Sequence, residues 1–134
     1  MSERLQVSFP GGKRVDVSVD GFHIATDQAE KHGGAGSAPA PFTLFLASLA
    51  TCSGIFALNF CQTRNIDTAG LDLAMEWEGD AKHPERSVAR LHLRLPDGFP
   101  AQYRGGIVRA MELCAVKRQL GAAPQFEVVV AETD

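Results

Sequence analysis

The sequence predicts an α+β domain. Three observations carry that prediction: apolar residues alternate with period two near the N-terminus, a long uncharged stretch fills the middle, and a second helix-like segment follows further alternating residues. Leu5, Val7 and Phe9 alternate, Gly11-Gly12 turns the chain, and Val15, Val17 and Val19 repeat the pattern up to Asp20-Gly21, which reads as two strands and two turns. Phe22 and Ile24 begin a short third strand. Residues 27–37 lose periodicity around Gly33, Gly34 and Gly36 and read as a loop.

Pro39 and Pro41 end that loop, and Pro41 suits the first turn of a helix, where its missing N–H would have no partner. The helix is expected from about Pro41 to Arg64, with Asn65 as a left-handed cap. Phe45, Leu49, Cys52, Ile55, Phe56 and Asn59 recur at three- and four-residue intervals on one face, while Phe42, Leu46, Ala50, Ala57, Leu58 and Cys61 cover the others. A helix apolar on all sides is buried on every side or lies in a membrane. Phe42 to Cys61 carries no charge, yet it contains Thr43, Ser48, Thr51, Ser53, Gly54 and Asn59 and is flanked by short alternating strands. A helix packed between sheets, or against its twin in a dimer, is therefore expected in place of a membrane span.

Leu71, Leu73, Met75 and Trp77 alternate, as do Leu91, Leu93 and Leu95 after Val88, which predicts two more strands. Pro96-Asp97-Gly98 turns the chain and Pro100 opens a second helix with Ile107, Ala110, Met111 and Cys114 on one face, so Cys114 is expected to point inward near its C-terminal end. Gly121 and Pro124 break the chain, and Phe126 to Ala131 is expected as a final strand.

The 134 residues suit one domain, expected over residues 1–134, with 45% apolar and 22% charged residues, which disfavours disorder and a coiled coil. The 13 basic and 16 acidic side chains are mixed along the chain, so a net charge of −3 supplies no footprint for nucleic acid or anionic lipid. The opening residues lack the apolar core of a signal peptide, which leads to a cytoplasmic expectation and to reading the three cysteines as thiols. No metal is expected, since His23, His32, His83 and His92 form no His-x3-His pair and the cysteines no Cys-x2-Cys pair. The glycine-rich loop lacks the Gly-Lys-Ser/Thr of a phosphate loop, and there is no Gly-x-Ser-x-Gly elbow.

That leaves the thiols. Cys52 lies mid-helix in an apolar segment, and two readings stand: sulfur chemistry with a second thiol, or packing as a small apolar group. Cys52 and Cys114 fall on the inward faces of two helices, which packing on one sheet system can bring together. Cys61, nine positions after Cys52, faces the other way and reads as structural. Three turns into the helix, Cys52 is beyond the reach of the helix dipole, so activation needs a cation, for which Arg14, Arg86 and Arg104 are candidates.

The segment from Pro41 to Ser53, the glycine-rich loop before it and Cys114-Ala-Val-Lys-Arg-Gln-Leu120 together resemble the OsmC/Ohr family of thiol peroxidases. The likeness includes the proline eleven residues before the first cysteine and the leucine six residues after the second. The resemblance implies an OsmC-like fold: antiparallel sheets wrapped around long central helices in an intertwined homodimer. It implies that Cys52 attacks the O–O bond of an organic hydroperoxide, that Cys114 resolves the sulfenic acid as a disulfide, and that a dithiol reductant, lipoyl-linked in many members, reopens it in an oxidative-stress defence. No cofactor is implied. Arg14 is the nearest match to the family arginine, and Phe45, Leu49 and Phe56 would line an apolar substrate pocket. The family's helix-start glutamate is absent, since Phe42 and Thr43 occupy those positions. That departure keeps open two alternatives: a dimeric binding protein for a small lipophilic ligand, and a thiol redox sensor.

Overall fold

Alternation and glycine turns build the N-terminal sheet as expected. The computed structural model describes residues 3–131, which group into two units, the first ending at Ala47 and the second beginning at Ser48. In the first, β1 (Gln6–Gly11), β2 (Arg14–Val19) and β3 (Phe22–Ile24) form an antiparallel sheet in the order β1-β2-β3. Val17 is the hub of the register, opposite Val7 on one side and Ile24 on the other. Asp20 and Gly21 both take positive φ, 51° and 78°, the two-residue turn that matches strand twist. Period two has a second outcome on β2: the buried side chain there is Asp16, whereas Val15 on the opposite face is exposed.

The loop after β3 is a built object. Asp27 is buried and accepts hydrogen bonds from Gln28 N–H at 2.7 Å, Ser37 N–H at 3.1 Å and the Ser37 hydroxyl at 2.5 Å. These donors hold its carboxyl down at about 2. Gly34 is required by close approach, since a Cβ there would overlap the Gln28 carbonyl and meet Asp27 Oδ1 at 2.8 Å.

α1 spans Pro41–Thr63. It ends as its sequence predicts: Asn65 takes φ 54°, Ile66 N–H donates to the Cys61 carbonyl and Asn65 N–H to that of Gln62, which closes the orphan carbonyls of the last turn. The expectation that the helix is buried on every side is not met by this chain. Its buried residues are Leu49, Ser53, Ala57, Phe60 and Cys61, one stripe, while Phe42 and Ile55 are exposed. The reason is a single layer: in the second unit one two-stranded sheet and the helical turn carrying Ile107 and Met111 cover one side of α1 only.

That sheet pairs β4 (Asp72–Glu78) with β5 (Val88–Arg94), antiparallel, with Leu73 opposite Leu93 and Met75 opposite Leu91. The outer face carries charge, with Arg90 bound to Glu78 at 2.8 Å. Inward, Leu73, Leu91 and Leu93 pack on the core of Ala57, Phe60, Cys61, Ile107 and Met111. Full burial of each large member contributes about 1.5–3 kcal/mol.

Two expectations for the C-terminal third need correction. Pro100 opens a 3-10 turn over Ala101–Tyr103, and the expected single helix is two, α2 (Arg104–Glu112) and α3 (Ala115–Leu120), broken at Leu113-Cys114. Glycine at 106 lets α2 approach α1, since a Cβ there would stand 3.0 Å from Phe60 Cζ. The expected final strand over 126–131 is irregular chain: Val128 is 93% and Val130 89% exposed, and β-branched residues without a neighbouring strand have no ladder to join.

Candidate functional site

The break between α2 and α3 decides where the second thiol sits. Leu113 closes α2 with its N–H on the Ala110 carbonyl, and Cys114 leaves helical geometry at φ −49°, ψ 130°, while its own carbonyl accepts the first bond of α3 from Arg118 N–H. Lys117 reaches back with its ammonium to the Met111 carbonyl at 3.2 Å and ties the two helices together. Cys114 thus takes the place that serine commonly takes at helix N-caps, with the N–H groups of Val116 and Lys117 directed at its side chain.

Cys114 is completely buried, and the group beside it is Cys52 on α1. All three cysteines are free thiols. Burial by itself pushes the Cys114 thiol up; the Cys52 thiol, the N–H groups of Lys117 and Val116 and the Ser53 hydroxyl together outweigh it and hold the sulfur below the usual thiol range. None of the helix N–H groups closes to a conventional capping bond, and the buried Ser53 Oγ likewise makes no hydrogen bond of standard geometry. The donors surround a thiol without gripping it.

Cys52 is half-buried, so of the two sulfurs it is the one with solvent access. Cys61 joins the core instead, and burial, only partly offset by Arg64, pushes its thiol up. Its structural reading and the inward placement of Cys114 agree with the sequence.

Arg14 lies in the N-terminal unit on β2, where its guanidinium meets Asp16 at 2.7 Å and His23 Nε2 approaches the same oxygen at 3.0 Å. Burial raises the Asp16 carboxyl, but His23, the Thr26 N–H and Arg14 together bring it below its ordinary value. Sequence reading named Arg14 and passed over Asp16, although Arg14-x-Asp16 places both on one strand face. Arg86 and Arg104 are exposed on a 3-10 turn and at the start of α2. Phe45, Leu49 and Phe56 all lie on α1, with Leu49 buried and the Phe45 ring 5.4 Å from that of Phe42. Two surface cavities, one on β4 and β5 around Asp72, His92 and Arg94 and one on α3 around Arg118, are lined by other residues.

A mixed domain with antiparallel strands, a long apolar helix and a thiol from that helix beside a thiol at a helix break defines a thiol-bearing α+β class. The OsmC-like protein family matches residues 34–129, and the chain belongs to that family. A crystal structure of a putative osmotic stress induced and detoxification response protein from Psychrobacter arcticus is similar at TM-score 0.71 and 18% identity, over 86% of this chain and 85% of that one. An organic hydroperoxide resistance protein OsmC from Legionella pneumophila is similar at TM-score 0.65 and 19% identity, over 91% and 90%. The organic hydroperoxide resistance protein OhrB of Bacillus subtilis is similar at TM-score 0.55 and 18% identity, over 91% and 93%. At these identities the likeness establishes the OsmC/Ohr fold. No curated protein sequence matches the chain.

Proposed function

We propose that the protein is a thiol peroxidase that reduces organic hydroperoxides with Cys52 and Cys114, as part of a peroxide-stress defence. The observation that carries this reading is the pairing of a half-buried thiol with a fully buried, acid-shifted one. Accessibility supports this division of roles. A hydroperoxide reaches Cys52 before it reaches Cys114. Cys52 loses its proton to solvent before attack, since its half-buried sulfur is the one that solvent reaches. The Cys52 thiolate attacks the distal oxygen of ROOH, the O–O bond breaks, and RO⁻ takes up a proton and leaves as ROH, with Cys52 as sulfenic acid. Cys114 sulfur then attacks the sulfenic sulfur, water departs, and a Cys52–Cys114 disulfide forms. A dithiol, such as a dihydrolipoyl group, returns two electrons. No cofactor enters this scheme.

Phe45, Leu49 and Phe56 are the apolar side chains that this reading assigns to the substrate. Arg14 is its assigned cation, and Asp16 supplies to Arg14 the carboxylate that Phe42 and Thr43 lack. A cytoplasmic homodimer completes the reading. By length and composition α1 is apolar enough to cross a membrane, with 28% of its apolar window buried. The uncovered side of α1 and the unpaired Phe126–Val130 segment are the surfaces a second copy of the chain would cover.

The test is intact mass and peptide mapping after one equivalent of cumene hydroperoxide, on the wild type and on Cys114→Ser. The reading expects a Cys52–Cys114 crosslink in the first and an oxidised Cys52 in the second. Two proteins that stay fully reduced sink it.

A further inference from the structure

Among the described residues, Ser53 is a buried polar side chain that lacks a hydrogen-bond partner and that the scheme above leaves unused. It follows Cys52 on α1, is completely buried, and its Oγ makes no hydrogen bond of standard geometry although the neighbouring acceptor is the Cys114 sulfur. A hydroxyl in such a place incurs a desolvation cost unless an acceptor engages it in some state of the protein. A neutral thiol is a weak acceptor; a thiolate is a strong one, and hydrogen bonds to charged acceptors are about twice as strong as neutral ones. Ser53 is thus under-satisfied while Cys114 carries its proton and satisfied when Cys114 is an anion.

We propose that Ser53 is a positioning residue that sets the polarity of disulfide reduction: an external dithiol attacks the more accessible Cys52 sulfur, and Cys114 leaves as a thiolate received by the Ser53 hydroxyl and the Val116 and Lys117 amides. The inference rests on the Cys52–Cys114 disulfide of the preceding reading and adds which of its sulfurs is attacked. In the first step a thiolate of the dithiol bonds to Cys52 Sγ, the Sγ–Sγ bond breaks, and its electron pair stays on Cys114. In the second, the dithiol's other sulfur attacks the mixed disulfide, releases Cys52 as thiolate and closes a cyclic disulfide. Two electrons have passed from dithiol to protein, and the two dithiol protons end on Cys52, on Cys114 or in solvent. A thiol whose anion is better stabilised leaves faster, so the donors act on rate as well as direction.

The experiment forms the disulfide with diamide, so that it does not depend on peroxide chemistry, and opens it with the monothiol 2-mercaptoethanol under acid quench, followed by alkylation and peptide mapping. The wild type is expected to carry the mercaptoethanol adduct on Cys52 and the alkyl group on Cys114; the reverse assignment overturns the proposal. Ser53→Ala is expected to slow opening by ~3–10-fold, and Ser53→Thr, which keeps the hydroxyl, to restore most of that loss. Opening of Ser53→Ala at the wild-type rate, with its fold verified by circular dichroism, overturns the role of Ser53. Should Ser53→Ala not fold, the adduct position in the wild type and the rate in Ser53→Thr still decide: a Cys114 adduct, or a Ser53→Thr rate tenfold below wild type, overturns it. Failure to form the disulfide with diamide also overturns it. If diamide forms the disulfide but cumene hydroperoxide does not, the peroxidase reading falls and the reduction polarity stands.

Discussion

Asp27 and Cys114 are both buried, both surrounded by donors, and both held below their ordinary titration range. They differ in how the donors close. At Asp27 the Gln28 and Ser37 donors sit at 2.5–3.1 Å and the carboxylate is saturated. At Cys114 the amides and the Ser53 hydroxyl stop short of standard bonds. A saturated anion is permanent and organises a loop, whereas a loosely ringed sulfur can exist in two states. Full hydrogen bonding marks structure at Asp27, and on the proposed reading the incomplete hydrogen bonding at Cys114 marks chemistry.

The largest expected effect breaks that comparison at the thiols. On the proposed peroxidase reading, Cys52→Ser should lower hydroperoxide turnover by about a thousandfold or more, because a neutral hydroxyl would replace the sulfur assigned to attack, while the circular dichroism spectrum stays as in the wild type. Retained turnover in that variant would remove the chemical half of the contrast. Next comes the loop. Gly34→Ala forces a Cβ into the Gln28 carbonyl and the Asp27 carboxylate, and the thermal midpoint should fall further than in Gly36→Ala, where a Cβ meets open space. Gly36 has φ 62°, so some strain is expected there too; equal losses would mean that crowding at Asp27 does not matter.

The pH dependence sharpens the same point. The folded-state value for Asp27, about 2, lies below the ordinary 3.8, so its contribution to stability is complete above about pH 4 and is lost as pH falls through 2. Melting of the wild type against Asp27→Asn should show a gap at neutral pH that closes between pH 4 and 2. A gap independent of pH would argue that the carboxylate charge contributes nothing. The smallest effect belongs to Cys61, whose thiol burial pushes up. Cys61→Ala should cost about 1 kcal/mol in denaturant unfolding and leave turnover unchanged, because this sulfur only packs.

Much of this was legible in the residues. Val15, Val17 and Val19 alternate because a strand alternates, and Pro41 and Asn65 bracket α1 because each suits its end of a helix. The inward placement of both cysteines was legible in the helix faces, whereas their pairing was implied only by the resemblance. The break at Leu113-Cys114 was not, since no glycine or proline marks it and the cap is formed by a cysteine. Ser53 looks like any helix serine until its burial and its neighbour are known. Phe126 to Ala131 reads as a strand because its residues favour one, but propensity does not supply the partner that a ladder requires.

That last segment has a consequence for how the protein responds to dilution. If Phe126–Val130 finds its ladder only on another copy, native structure is a second-order event, and each tenfold dilution removes about 1.4 kcal/mol of stability per assembled pair. Scarce protein would then melt earlier than abundant protein of identical sequence, and the midpoint would report the amount of chain as much as its composition.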